Sequence, residues 1–313
     1  MRWIPGRLAL APLLIAATSP AVPGWLYPAE GSTLPPVAVP TELPGSPLHP
    51  RADQLHDLAQ AVDWYPAEHP AAPDIVLHGH GGANACAYCH MANGAGRPEN
   101  AALAGLDADY IRRAVHGYAD GTRASPMPGY LAHTLMAATA RAVAPADLDA
   151  AARYFAALPR HAFGKVVETA LIAAPVADSM AWRRDPSGRM VDLGLRMFEL
   201  PDDFARFKAR DPHLTYTAYV PQGSLNRGKA LAEGTLPGGP PACATCHGAG
   251  YEGTAIAPPL AGRSPHYLAR ALVAYRGHAR HGAEAAPMWQ VTGRLSNRDV
   301  IALAAWMGSR PIK

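Results

Sequence analysis

Cysteine and histidine carry the chemistry this chain can do. Cys86, Cys89 and His90 form one Cys-X-X-Cys-His run, and Cys243, Cys246 and His247 form a second, which accounts for all four cysteines. Two thiols three positions apart can add to the two vinyl groups of one haem, and the adjacent histidine is then held against the iron as its proximal ligand. A single Cys-X-X-Cys is compatible with zinc or with a thioredoxin-like dithiol. Two copies, each followed directly by histidine and with no thiol left over, favour covalent haem c over both. The expected cofactors are therefore two covalently bound haem c groups, attached through Cys86, Cys89, Cys243 and Cys246, with His90 and His247 on iron.

The residues downstream of the two motifs repeat in register. Leu103-Ala104-Gly105 starts 103 − 86 = 17 positions after the first cysteine, and Leu260-Ala261-Gly262 starts 260 − 243 = 17 after its own. Tyr110 and Tyr267 lie 24 positions beyond those cysteines, and Arg123 and Arg280 lie 37 beyond. An internal duplication is the simplest explanation, and repeats of this length read as two separately cored units, not a solenoid.

Each repeat resembles a class I cytochrome c, and the tandem resembles the periplasmic two-haem cytochromes c. The resemblance covers about residues 80–159 and 224–309 and rests on Cys-X-X-Cys-His, the Leu-Ala-Gly-X-X-X-X-Tyr stretch, a methionine, and a last helix rich in alanine and aromatics. It implies a mainly α fold: two class I cytochrome c domains in tandem, joined by a small strand-containing connecting segment. The expected boundaries are 1–23 for an export signal or anchor, 24–62 for a Pro-rich arm, 63–159 and 224–313 for the two domains, and 160–223 for the connection.

In that family a methionine is the distal iron ligand. Met288 is the candidate in repeat two, its rival Met307 lying inside the last helix. Among Met91, Met127 and Met136 in repeat one, Met91 directly follows His90 and cannot reach the opposite face of the same haem. Met136 is preferred over Met127 by register, since 154 − 136 = 18 to Tyr154 and 306 − 288 = 18 to Trp306. The bland alternative for any one methionine is core filling. His78, His80, His116, His133 and His281 are rival ligands without matched register. A neutral thioether favours ferrous iron and raises the potential, and an iron with both axial positions filled passes electrons and does little else.

In the family a proline two positions before Leu-Ala-Gly stiffens the loop whose carbonyl accepts from the proximal imidazole. Pro258 has this place in repeat two, whereas repeat one has Ala101. Arg123 and Arg280 are candidates to neutralise haem propionates, with solvated surface arginine as the alternative.

The elements that must position these groups are partly legible. Tyr110, Ile111, Ala114, Val115 and Tyr118 give a helix over about 109–119. Pro145 suits a first helical turn, with Leu148, Ala151, Ala152, Phe155 and Leu158 along one face. Ser296 is the expected N-cap of the last helix, whose buried stripe is Val300, Leu303, Ala304 and Met307. Gly79 and Gly228 are expected to allow the close contact of first and last helices in their repeats. Residues 52–62 read as a short helix, and Asp63-Trp64-Tyr65-Pro66 as an ordered approach over part of the haem edge. The prolines of 34–50 predict an extended arm. Two strands are expected in the connection, at 165–171 and at 214–220, the second alternating Leu214, Tyr216, Ala218 and Val220. That segment is too long for a bare linker, so a small clasp between the domains is expected, with a docking surface for a dehydrogenase as the lesser reading.

Arg2 and Arg7 precede about ten apolar or small residues from Leu8 to Ala17, which reads as a secretory signal and places the protein in the periplasm. The run is short of the about 20 residues a membrane span needs. Retention as a peripheral or anchored protein is the alternative, with Trp25, Leu26 and Tyr27 at the interface. The 313 residues suffice for two domains plus connections. Only 17% are charged and the formal charge is +3, too weak a field for nucleic acid. The function expected is single-electron transfer between redox protein partners, a dehydrogenase donor and a respiratory oxidase or reductase acceptor. The alternative is a two-haem enzyme such as a peroxidase or a thiosulfate-oxidising dehydrogenase, which would need an open or labile distal site.

Overall fold

The computed structural model describes residues 22–28 and 31–312, so the expected export signal lies outside the described residues. Helices α1 (Asp74–Leu77), α2 (Cys86–His90), α3 (Ala108–Ala119), α4 (Leu131–Ala142) and α5 (Pro145–Ala157) build the first repeat. Strands β1 (Gly164–Glu168), β2 (Leu171–Ala173), β3 (Pro175–Asp178), β4 (Ala181–Arg184), β5 (Met190–Asp192) and β6 (Phe198–Pro201) come next, then α6 (Phe204–Lys208) and β7 (Tyr216–Val220). The second repeat is α7 (Ser224–Ala232), α8 (Ala244–His247), α9 (Pro265–Arg276), α10 (Ala286–Thr292) and α11 (Asn297–Gly308).

Local chemistry explains the helix boundaries. The Asp107 carboxylate accepts from the Tyr110 amide at 2.8 Å and starts α3, and Pro145 opens α5 with its missing N–H where none is needed. Ser264 caps α9 by accepting from Tyr267 N–H. Ser296 and Asp299 form a reciprocal capping box at α11. In the first repeat Ile111, Ala151, Ala152, Phe155 and Leu158 close one core; in the second, Leu268, Val273, Val300, Leu303, Ala304 and Met307 close another.

The two glycines differ. A Cβ on Gly228 would stand 2.0 Å from the Ala302 carbonyl oxygen, so glycine here lets α7 and α11 touch. A Cβ on Gly79 would meet Ala83 O and Ala85 N instead, atoms of its own turn. The expected first-to-last helix contact at Gly79 is thus replaced by a local turn, because α1 is only four residues long and ends before it.

In the connection β1 runs parallel to β7, pairing Gly164 with Tyr216 through Glu168 with Val220, and β6 lies antiparallel on the other side of β7. Leu214, Tyr216, Ala218 and Val220 are all buried. Two hairpin-like pairs, β2 with β5 and β3 with β4, complete it. The helix expected over 52–62 is reduced to a single 3-10 turn at Gln54–His56. Leu26 and Tyr27 are buried in the core of the second repeat, and Trp182 Nε1 donates to the Trp25 carbonyl at 3.0 Å. Their placement corrects the membrane-interface expectation for Trp25, Leu26 and Tyr27: packing against the cluster of Leu268 and Val273 outcompetes a lipid role. No helix among the described residues is long and apolar enough to cross a membrane.

Candidate haem sites

The two Cys-X-X-Cys-His runs fold alike. Each is a short helix, and the residue after each histidine turns to positive φ, 62° at Met91 and 83° at Gly248. The loops beyond them match bond for bond. Gly96 N–H donates to His90 O at 3.0 Å and Gly253 N–H to His247 O at 2.9 Å, while Leu103 N–H reaches Gly94 O and Leu260 N–H reaches Tyr251 O, both at 2.8 Å.

That loop fixes the imidazoles. His90 Nδ1 lies 2.7 Å from Ala101 O, and His247 Nδ1 lies 2.7 Å from Pro258 O. A carbonyl can only accept, so Nδ1 carries the proton and Nε2 keeps its lone pair for iron. The missing proline at Ala101 therefore does not cost the carbonyl its place. Burial lowers both histidine pKa values, against the raising effect of those carbonyl bonds, and keeps the imidazoles neutral as ligation requires. Burial also pushes the Cys86 thiol up to about 12 and Cys243 up to about 11; sulfur without a titrating proton, as in a thioether, suits these sites. Among the described residues no group of three or more His, Cys, Asp or Glu side chains could hold a metal ion. The donor set fits a haem with one imidazole on iron.

The methionines are placed differently. Met136 lies on α4 and Met288 on α10, both partly buried and neither within an apolar core cluster. Met127 packs against the core of the second repeat. His78, His80, His116 and His281 are exposed, and His133 packs against Tyr118.

Arg123 and Arg280 meet at the junction of the repeats. Arg123 donates to Tyr110 Oη at 3.0 Å, and its Nε is buried without a partner. Arg280 favours ionisation of the Tyr267 phenol by its charge and lies over the Tyr275 ring at 5.1 Å. Arg263 adds a third guanidinium, its Nε donating to Pro259 O at 2.7 Å and its terminal nitrogen to Ala102 O at 2.8 Å. Among the described residues none of the three forms an ion pair. Burial opposes ionisation of the Tyr267 phenol, yet Arg280, Arg123 and Arg263 together outweigh it and lower its pKa. Such a cluster is short of anions, and carboxylate-bearing groups such as propionates would supply them. Arg263 is unmarked in the sequence because the first repeat has Leu106 in that register, 106 − 86 = 263 − 243 = 20, so no repetition singles it out.

The sequence around the second haem motif matches known proteins. Residues 239–307 match the family model described as cytochrome c oxidase, cbb3-type, subunit III. Cytochrome c-554(548) of Halomonas halodenitrificans is 39% identical over 69 residues, which is 22% of this chain and 83% of that protein. The chain belongs to the cytochrome c family. As a family member it binds haem c covalently and serves electron transfer. A protein named thiosulfate dehydrogenase electron acceptor, from Stutzerimonas stutzeri, is 25% identical over 252 residues, 76% of this chain and 87% of its own length. A solved thiosulfate dehydrogenase (TsdBA) of Marichromatium purpuratum is 29% identical with a TM-score of 0.48, covering 73% of this chain and 37% of that one.

Proposed function

We propose that this cytochrome c is an exported, periplasmic two-haem electron carrier, with class I domains at 63–159 and 224–313 held together by the arm 24–62 and the connection 160–223. One haem is bound through Cys86 and Cys89 between His90 and Met136, the other through Cys243 and Cys246 between His247 and Met288. Arg123 and Arg280, with Arg263, meet the propionates. The observation that carries the reading is the identical proximal arrangement, an Nδ1-to-carbonyl contact of 2.7 Å in both repeats. The placement of Met136 and Met288 outside the apolar cores, with Met127 packed on one, supports the ligand assignment. Two filled axial positions leave no site for peroxide or substrate, so the protein relays single electrons.

The donor is a dehydrogenase and the acceptor a respiratory oxidase or reductase. Thiosulfate dehydrogenase is the donor favoured by the names of two relatives, each 25% identical over most of the chain. Steady-state assays on the exported protein test the reading: peroxide turnover is negligible beside electron uptake from a thiosulfate dehydrogenase. Rapid peroxide turnover would favour the enzyme.

A further inference from the structure

The two attachment helices present unequal faces to solvent. In the first repeat α2 is roofed over. Arg210 lays its guanidinium 3.5 Å above the Tyr88 ring and donates to Tyr88 O at 2.7 Å. Trp64 is 1% exposed and donates from Nε1 to Ala209 O at 2.8 Å, and Tyr65 stacks on His213 at 3.9 Å. Arg97 stacks on Phe207 at 3.8 Å and donates to its carbonyl at 3.4 Å. Trp64 and Tyr65, with the 204–213 stretch of the connection, thus cover the helix that carries Cys86 and Cys89.

The second repeat has no such roof among the described residues. Thr245, which corresponds to Tyr88, is exposed, and so is Cys246. Ile256 is 80% exposed, whereas Glu99 in the same register, 99 − 86 = 256 − 243 = 13, is 6% exposed. Thr254 Oγ1 donates to Cys246 O at 2.7 Å and ties the Ile256 loop to the attachment helix. Between Cys243 and Pro259 the one acidic or basic side chain besides His247 is Glu252. A lone exposed isoleucine needs no explanation, but one bonded through its loop to a haem-attachment cysteine forms part of a redox edge.

Resting on the carrier reading above, we propose that partners exchange electrons with the second haem only, through an uncharged surface made by Thr245, Cys246, Thr254, Ala255 and Ile256, and that the first haem fills and empties through the second. Electron tunnelling falls exponentially with distance. A partner facing the first repeat is held off by the thickness of Trp64, Tyr65 and Arg210, while one facing the second meets only the exposed Ile256 loop. The occupant is a redox protein with an uncharged apolar ring around its own cofactor edge. Apolar recognition of this kind is weakly salt-dependent, in contrast to a charge-steered encounter.

The test uses the exported two-haem holoprotein and a soluble class I cytochrome c as probe. Ile256→Gln slows bimolecular electron exchange with the probe at least about five-fold, whereas Leu171→Gln, at a 54% exposed site on the connection, changes it less than about two-fold. Hydrogen exchange with a redox-inert zinc-substituted probe shows protection over 244–257 and none over 86–99. An unchanged rate in Ile256→Gln, a slowed rate in Leu171→Gln, or a footprint absent from 244–257 overturns the port. Failure of the carrier reading is distinct: the purified protein would hold fewer than two haems.

Discussion

Arg123 and Arg280, which hold the same position in the two repeats, face each other as an antiparallel bridge across the junction. Ala124 N–H donates to Ala279 O at 3.1 Å, and His281 N–H donates to Thr122 O at 2.8 Å. The arginine that serves one proposed haem is therefore in backbone register with the arginine that serves the other. Two further bonds cross the same junction reciprocally: Arg160 to Ala261 O at 2.6 Å, and Arg263 to Ala102 O, beside the carbonyl that holds His90.

Neutralising one of these cations disfavours the added electron. Arg123→Gln lowers the potential of the first haem by on the order of 40 mV, the one-electron equivalent of about 1 kcal/mol, and shifts the second in the same direction by less. Potentiometric titration of wild type and variant checks it. An unchanged pair of potentials removes Arg123 from the haem environment.

Stability depends on pH through a second buried cluster. Burial pushes Glu199 from 4.5 up to about 8, against the lowering effect of His266 N–H and the Ser264 hydroxyl, each 2.8 Å from its carboxylate. The folded state then holds a proton that the unfolded state has lost, so stability falls as pH rises from 4.5 to about 8. Burial lowers neighbouring His266 from 6.5 to about 3, which costs stability as pH falls below 6.5. The two effects oppose each other below 6.5, and Glu199 acts alone between 6.5 and about 8. Thermal unfolding of wild type loses up to about 1.4 kcal/mol per pH unit in that window, and Glu199→Gln flattens it. A slope unchanged by the substitution assigns the dependence elsewhere.

The distal ligands separate by substitution. Met288→Ala removes about half of the thioether-to-iron charge-transfer absorption of the oxidised protein, and Met136→Ala removes the other half. Met127→Ala leaves the band intact and costs about 2–3 kcal/mol in stability through lost packing. Loss of the band in Met127→Ala with a silent Met136→Ala reverses the assignment in the first repeat.

Local and repeated features are the legible ones. Pro145 and Ser296 mark helix starts by their own backbone chemistry, and Gly228 marks the α7 and α11 contact. Its counterpart in the first repeat is not Gly79, because α1 carries too few residues for periodicity to show where it ends. The roof over α2 is legible only at Trp64 and Tyr65. Its other half, Arg210 on Tyr88, joins residues 122 apart, and no local pattern encodes such a contact. Arg263 is silent because it breaks the repeat while completing the arginine cluster.

Everything proposed for this cytochrome rests on two haems, each with both axial positions filled, exchanging single electrons. A spectroelectrochemical titration of the exported holoprotein reads that property without an intermediary. Two one-electron steps, with both haems low-spin in oxidised and reduced forms at neutral pH, are the predicted result. A single step, or a high-spin signal from either haem, would contradict it.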